Sequence, residues 1–410
     1  MRVTFITGHL CKERHALLNE LALDLGENGA KVTVITGFPS RRISEEVRDY
    51  YLQHPVEQIS ENVVVKRVGS RKGEGTGLFD RMLKYLSLTW TIYKEAKNTP
   101  TDAYYLYSSP PFIGWMGIKL AKIAPTLYNA QDLFPDTLIK IKGYSERNPL
   151  IKFLRMMERK VYKGNTRIVT ISNEMKETIK SQGCTGDKID VIYNWADTIG
   201  THHVEREENQ LMDELGIDKS KFIVSYAGDI GLFQGWPVIL EAIKIVGQKN
   251  KDIHFAIIGS GSYKEKMETQ VREEGIDNIS IHPLQPASRL SEIYSIGDLE
   301  LVSIEPGLSK MALPSKTFVI MAAGSPLLSL VDQSSDIAQL IKERNMGYTL
   351  EHGDADALAE TVLQAYEHRD RLDQMGKNAR EFCLKEAARK TQTKKYFEVL
   401  KKISMEKNHE

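Results

Sequence analysis

Apolar and polar positions along the chain alternate between two periods. Residues 2–7 read as a strand with Val3, Phe5 and Ile6 at its centre. Helical spacing follows from Arg14 to Leu25, then a stop at Gly29, then a second strand from Lys31 to Thr36. This is the pattern of a β-α-β unit. Further short runs at Ala103–Tyr107, Thr126–Asn129, Arg167–Ile171 and Ile189–Tyr193 read as strands, with helices at Pro111–Ile123 and Leu150–Lys163 between them. Strands buried on both faces of a parallel sheet are continuously apolar, as these are. The pattern restarts at Phe222–Tyr226, with strands to follow at Ile253–Ile258, Asn278–Ile281, Leu299–Ser303, Pro326–Val331 and Tyr348–Leu350. Asn378 to Lys402 reads as one long charged helix.

The expected organisation is α/β, with two doubly wound domains and a polar linker between them. The boundaries are 1–200 for the first domain, 201–218 for the hinge, 219–385 for the second domain and 386–410 for a closing helix that returns to the first. A length of 410 residues agrees with two domains rather than one core. Open α/β sheets bind ligands beyond the carboxyl ends of their strands, so the loops there are where chemistry is sought.

Composition narrows the function. Lys plus Arg and Asp plus Glu are 55 each, and this balance argues against a dedicated nucleic-acid binder. Cys11, Cys184 and Cys383 are far apart, which points away from a disulfide framework or a structural zinc site and fits a cytoplasmic protein. No run reaches the length of a membrane span. The opening apolar run is too short for a signal peptide.

Several strand-end segments carry candidate chemistry. In Leu313-Pro-Ser-Lys316, Pro314 and Ser315 are helix-start signals for a helix ending at Gly324. Lys316 then sits in the first turn, where the helix dipole disfavours a cation unless an anion shares the site. Free N–H groups, the Ser315 hydroxyl and Lys316 would together hold a diphosphate. Gly228, Gly231 and Gly235 lie in a strand-to-helix loop, which is either a ligand loop or a plain turn. Gly259 and Gly261 form a similar loop. Lys264 occupies the place of the third glycine of the dinucleotide fingerprint, which disfavours a nicotinamide enzyme.

In the first half, Gly8 and His9 end one strand, with Arg14 opening the next helix, while Gln131 and Asp132 end another. Asp132 is a candidate base or sugar ligand, or a plain turn residue; His9 is equally a satisfied polar residue. His202 and His203 lack a second ligand pair and read as solvated. Two stretches, Phe79 to Tyr93 and Leu150 to Lys163, mix aromatic and basic residues; they suit either an anionic membrane surface or ordinary core-facing helices.

The stretches Val34-Ile-Thr-Gly-Phe-Pro39, Tyr128 to Asp136, Val191 to Asp197, Tyr226 to Gly235 and Pro314 to Gly324 together carry a resemblance spread over nearly the whole chain. The sequence resembles the retaining glycosyltransferases of family 4, and most of all the bacterial branch of O-antigen and capsule N-acetyl-L-fucosamine transferases. That resemblance implies the GT-B fold, two Rossmann-like domains facing a central cleft. It implies transfer of a sugar from a UDP-linked donor to a lipid-linked saccharide, without metal or cofactor, at the inner face of the membrane. Lys316 would meet the diphosphate. Gly228, Gly231, Gln234 and Gly235 would lie near the phosphates and sugar. Gly259, Gly261 and Leu284 would approach the nucleoside. Gly8, His9, Arg14, Gln131 and Asp132 would face the acceptor, with His9, Asp132 and Lys316 at the chemistry.

The chain departs from the family pattern in three places. Val319 and Met311 stand at the two positions of the E-x7-E glutamates. Asp229 and Gln234 stand in the phosphate loop in place of its arginine and lysine, and Gln131 replaces a histidine. Two other readings therefore remain: a sugar-nucleotide 2-epimerase of related two-domain fold, and an inactive homologue that partners another glycosyltransferase.

Overall fold

A computed structural model describes residues 1–12, 15–39, 43–70, 78–136, 138–139, 143–308 and 314–406. The chain forms two units, one comprising Met1–Tyr193 with Lys390–Glu410, the other Asn194–Arg389.

The first unit is built on β1 (Arg2–His9), β2 (Lys31–Gly37), β3 (Val56–Ser60), β4 (Val63–Val68), β5 (Ala103–Tyr107), β6 (Thr126–Ala130), β7 (Arg167–Thr170) and β8 (Ile189–Val191). Among the described residues these form one sheet in the order β3-β4-β2-β1-β5-β6-β7-β8, parallel except for the antiparallel β3–β4 pair. The central strands are buried on both faces, which is why their sequences are mostly apolar. The helix Arg389–Glu406 belongs to this unit. Its Tyr396, Leu400 and Ile403 are buried, and Thr393 Oγ1 donates to the buried Asp24 carboxylate at 2.9 Å.

The second unit is built on β9 (Phe222–Asp229), β10 (Ile253–Ser260), β11 (Ile279–His282), β12 (Leu299–Ser303), β13 (Leu327–Leu330) and β14 (Gly347–Leu350). They form an all-parallel sheet in the order β11-β10-β9-β12-β13-β14. Trp236, Ile239 and Ile243 of the helix Trp236–Lys249 pack in one core with Val224, Ile257, Leu301 and Leu328 of the strands. Some helix starts are capped by side chains. Ser335 accepts from Ala338 N and Asp354 accepts from Ala357 N.

Three features differ from the sequence expectation. Residues 201–218 are not a bare linker. They carry the helix Gln210–Leu215, whose Leu211 and Met212 are fully buried in the second unit. The hairpin β3–β4 is additional. The single helix expected over Asn378–Lys402 is two, Leu372–Glu386 and Arg389–Glu406. The break comes where Ala196 pairs as a strand with Ala388, accepting from Arg389 N at 3.0 Å and donating to Ala387 O at 3.1 Å. These tertiary hydrogen bonds outweigh the high helix propensity of alanine.

Candidate functional site

In the second unit the candidate residues gather at the carboxyl ends of β9, β10 and β12. Gly228 and Asp229 end β9 and pair in register with Gly259 and Ser260 at the end of β10. The two strand ends touch backbone to backbone. A Cβ on Gly259 would lie 2.1 Å from the Gly228 carbonyl oxygen, and one on Gly261 would lie 2.3 Å from the Ile230 carbonyl oxygen. These two glycines therefore have a packing role in their own right. Gly235, at φ +67, adopts a conformation that disfavours side chains, and a Cβ there would strike His352. Gly231 is buried in the same loop. Gln234 gives its carbonyl to the Ser303 hydroxyl at 2.6 Å, while its side-chain Oε1 is buried without a partner among the described residues.

Lys316 is the first residue of the helix Lys316–Ala323, which ends on Gly324 at φ +76. Ser315 precedes it, is exposed, and makes no side-chain cap bond. The Lys316 ammonium donates to the Leu301 carbonyl at 3.3 Å and stands 3.5 Å from the Tyr226 ring centre. The residue is only half-buried by area, yet its ammonium end lies inside the protein. Burial lowers its pKa to about 7, against the opposing pull of Glu300. Gly228 borders this arrangement: a Cβ there would lie 4.0 Å from Lys316 Cδ. Tyr226 is itself fixed, its hydroxyl donating to the Asp229 carbonyl at 2.7 Å.

Beside the ends of β10 and β11, Lys264 Nζ donates to the carbonyls of Gly259 at 3.3 Å and His282 at 3.4 Å. It thereby ties the two loops together. His282 is held neutral mainly by burial, then by His254 and Lys264, and its Nε2 lies 2.9 Å from Ser280 Oγ. Leu284, two residues on, is 59% exposed. Val319 lies half-buried in the helix, and Met311 lies outside the described residues.

The first-unit candidates also lie at strand ends. Gly8 N donates to the Ser109 carbonyl at 3.2 Å, and a Cβ on Gly8 would lie 2.3 Å from Pro110 Cδ. Gln131 N donates to Ser108 Oγ at 3.2 Å, so the ends of β1, β5 and β6 are joined. Gln131 Nε2 donates to Asn129 Oδ1 at 3.2 Å, and Asn129 in turn donates to the buried Tyr105 hydroxyl. The His9 ring meets Tyr85 edge-on with centroids 6.4 Å apart. Asp132 is exposed, but the protein crowded around it raises its pKa. Tyr107 is pushed up to about 12 by burial and then by Asp132. Arg14 lies outside the described residues. Among the described residues, no group of three His, Cys, Asp or Glu is placed to hold a metal ion.

The sequence reading passed over Tyr226, His352 and Glu300. Glu300 had a visible signal, an acid inside the apolar run Leu299–Ser303, and it is fully buried.

Comparison with known proteins places both units. The family model "Glycosyl transferases group 1" matches residues 207–382, and "Glycosyltransferase Family 4" matches residues 15–199. The chain is 26% identical over 231 residues to the Pseudomonas aeruginosa protein "Probable glycosyltransferase WbjE", covering 56% of this chain and 57% of that one. It is 25% identical over 252 residues to WcaI of Escherichia coli (strain K12), a glycosyl transferase named for colanic acid biosynthesis, covering 60% and 61%. The matches thus span about six tenths of those relatives' lengths. Among solved structures, Anabaena Alr3699/HepE in complex with UDP and glucose superposes with a TM-score of 0.72 at 15% identity, over 98% of this chain and 100% of that one. WaaG, a glycosyltransferase involved in lipopolysaccharide biosynthesis, superposes with a TM-score of 0.71 at 13% identity, over 97% and 99%. These likenesses show the GT-B fold.

Proposed function

The chain belongs to the glycosyltransferases of group 1 and family 4, and on that premise we propose that it transfers a sugar from a UDP-linked donor to a lipid-linked saccharide in polysaccharide biosynthesis. The observation that carries this reading is Lys316 at the first position of a helix, against the glycine-bearing end of β9. A buried cation at a helix N-terminus is costly without an anion, and a diphosphate supplies one. HepE, a structural neighbour solved with UDP and glucose, supports the choice of donor class.

In the proposed reaction the bond between the anomeric carbon and the UDP phosphate oxygen breaks. The acceptor hydroxyl oxygen bonds to the same face of that carbon, so configuration is retained. The acceptor proton passes to the departing phosphate oxygen. Lys316, the free N–H groups of its helix and the Ser315 hydroxyl neutralise the charge that develops there, without a metal. Gly228, Gly231, Gln234 and Gly235 hold the phosphates and sugar, and Gln234 Oε1 offers a buried acceptor without a partner among the described residues. Gly259, Gly261 and Leu284 border the nucleoside. Gly8, His9, Gln131 and Asp132 serve the acceptor, with Asp132 placed to accept a bond from a sugar hydroxyl. The sugar we propose is an N-acetylated deoxyhexosamine such as L-fucosamine, in O-antigen or capsule assembly.

A lipid-linked acceptor calls for contact with a membrane. No helix among the described residues is long and apolar enough to cross one. The first unit exposes Trp90, Trp115, Leu150, Phe153 and Met156, and the helix Pro149–Gly164 adds exposed Lys152, Arg159 and Lys160 with no exposed acid. These features support peripheral contact with an anionic inner leaflet. The function is tested by incubating the protein with UDP-sugars and lipid-linked saccharides. Acceptor-dependent release of UDP supports it, and an epimeric sugar nucleotide formed without acceptor would replace it.

A further inference from the structure

Glu300 is a fully buried carboxylate in the middle of a parallel sheet. Burying a charge there costs several kcal/mol unless something repays it. Two donors meet it, the Ser225 hydroxyl and Gly297 N at 3.2 Å, and both meet the same oxygen, Oε1. The other oxygen, Oε2, is buried without a hydrogen-bond partner among the described residues. The glycine at 297 is required by this arrangement, since a Cβ there would lie 2.9 Å from both Glu300 Oε1 and Ser225 Oγ. An amide oxygen would accept the same two donors equally well. What glutamine would not supply is negative charge.

Lys316 reaches the same stretch of β12, where the two charges act on each other. Its Nζ binds the carbonyl of Leu301, the residue next to Glu300 on β12. The other titratable groups acting on the pair are Tyr294 near Glu300, and Tyr226 under the ammonium with Asp229 acting on that ring. Both tyrosines are pushed upward by burial and stay neutral. Glu300 is itself pushed up to about 7 by burial, against the pull of Ser225, Gly297 N and Lys316, and above neutral pH it is the carboxylate that bears on the lysine's charge.

We infer that Glu300 is a positioning residue for Lys316: its buried carboxylate keeps the lysine charged and seated over Tyr226 and the Leu301 carbonyl, ready for an incoming diphosphate. The diphosphate half of this statement rests on the proposed function, but the charge coupling does not. Burial lowers the lysine's proton affinity and the carboxylate raises it, so removing the negative charge lets the ammonium deprotonate at lower pH.

The test is competitive labelling of Lys316 with acetic anhydride across the neutral pH range, read by peptide mass spectrometry on the full chain. In Glu300→Gln the labelling midpoint falls by about one pH unit or more, and Glu300→Asp restores it in part. Ser225→Ala, which weakens support for the charged carboxylate, moves it in the same direction by less and covers the case in which Glu300→Gln does not fold. A midpoint unmoved in the folded Glu300 and Ser225 variants overturns the inference, because a merely structural role would not displace it. Inorganic pyrophosphate binding is measured beside it. Coupling predicts that Glu300→Gln loses pyrophosphate affinity about tenfold more at pH 8 than at pH 6. Failure of the unsubstituted protein to bind pyrophosphate would overturn the diphosphate reading, while the labelling midpoint still decides the coupling.

Discussion

The Lys316 ammonium lies 3.5 Å from the centre of the Tyr226 ring and donates its hydrogen bond to a backbone carbonyl, not to a carboxylate. A lysine held this way is charged against its surroundings and has capacity for an anion. Replacing it with alanine removes the charge proposed to neutralise the leaving diphosphate. Lys316→Ala is expected to lower the transfer rate roughly 10²–10³-fold, measured as acceptor-dependent UDP release at saturating donor. A change of only a few-fold would remove Lys316 from the chemistry.

The same lysine sets a pH dependence. Its pKa is lowered to about 7 by burial, and a bound diphosphate would raise it again. A group whose pKa rises on binding contributes affinity in full below its free value and loses it as pH climbs through the bound value. UDP affinity is therefore expected to weaken as pH rises above about 7, by at most about tenfold per unit. Titration calorimetry in buffers of different ionisation enthalpy would show proton uptake on binding. The slope should vanish in Lys316→Ala.

The backbone contact between Gly228 and Gly259 makes a stability prediction. A methyl group on Gly259 would lie 2.1 Å from the Gly228 carbonyl oxygen, and main chain cannot swing away as a side chain can. Gly259→Ala is expected to cost about 1–3 kcal/mol, seen as a lower thermal midpoint. Gly275→Ala is a poor control despite its open surroundings, because its φ of +62 already disfavours a side chain. Gly186→Ala, where the nearest atom is a flexible lysine tail at 3.5 Å, should change little.

Membrane contact makes a separate prediction. Trp115 is 43% and Phe153 50% exposed. The pair Trp115→Ser and Phe153→Ser should reduce flotation with anionic liposomes while leaving UDP binding in the second unit unchanged. Protein that stays wholly in the soluble fraction before any substitution would remove the proposal.

Much of this was legible in the sequence because burial on both faces writes strands as apolar runs, and glycines mark where they end. The two sheets follow from that signal. What escaped was set by contacts distant in sequence. Val56–Ser60 is a half-exposed edge strand with little apolar content. Ala387 and Ala388 read as helix, and only pairing with Ala196 shows the break. The glycine loops and Lys316 were visible as loop and helix-start chemistry. Nothing in the sequence sets Tyr226 apart from other strand aromatics, because only the fold brings Lys316 over its ring, and Glu300 is a single acid inside a strand.

The most direct test of the account is a thermal-shift panel with UDP, GDP, ADP, CMP and dTDP on the protein and on Lys316→Ala. A ligand at about 100 times its dissociation constant adds roughly 2.7 kcal/mol of stability. The account predicts a shift with UDP and not with the others, reduced or lost in Lys316→Ala. No shift with any nucleotide would contradict it and turn attention to an inactive homologue with Val319 in place of the family's glutamate.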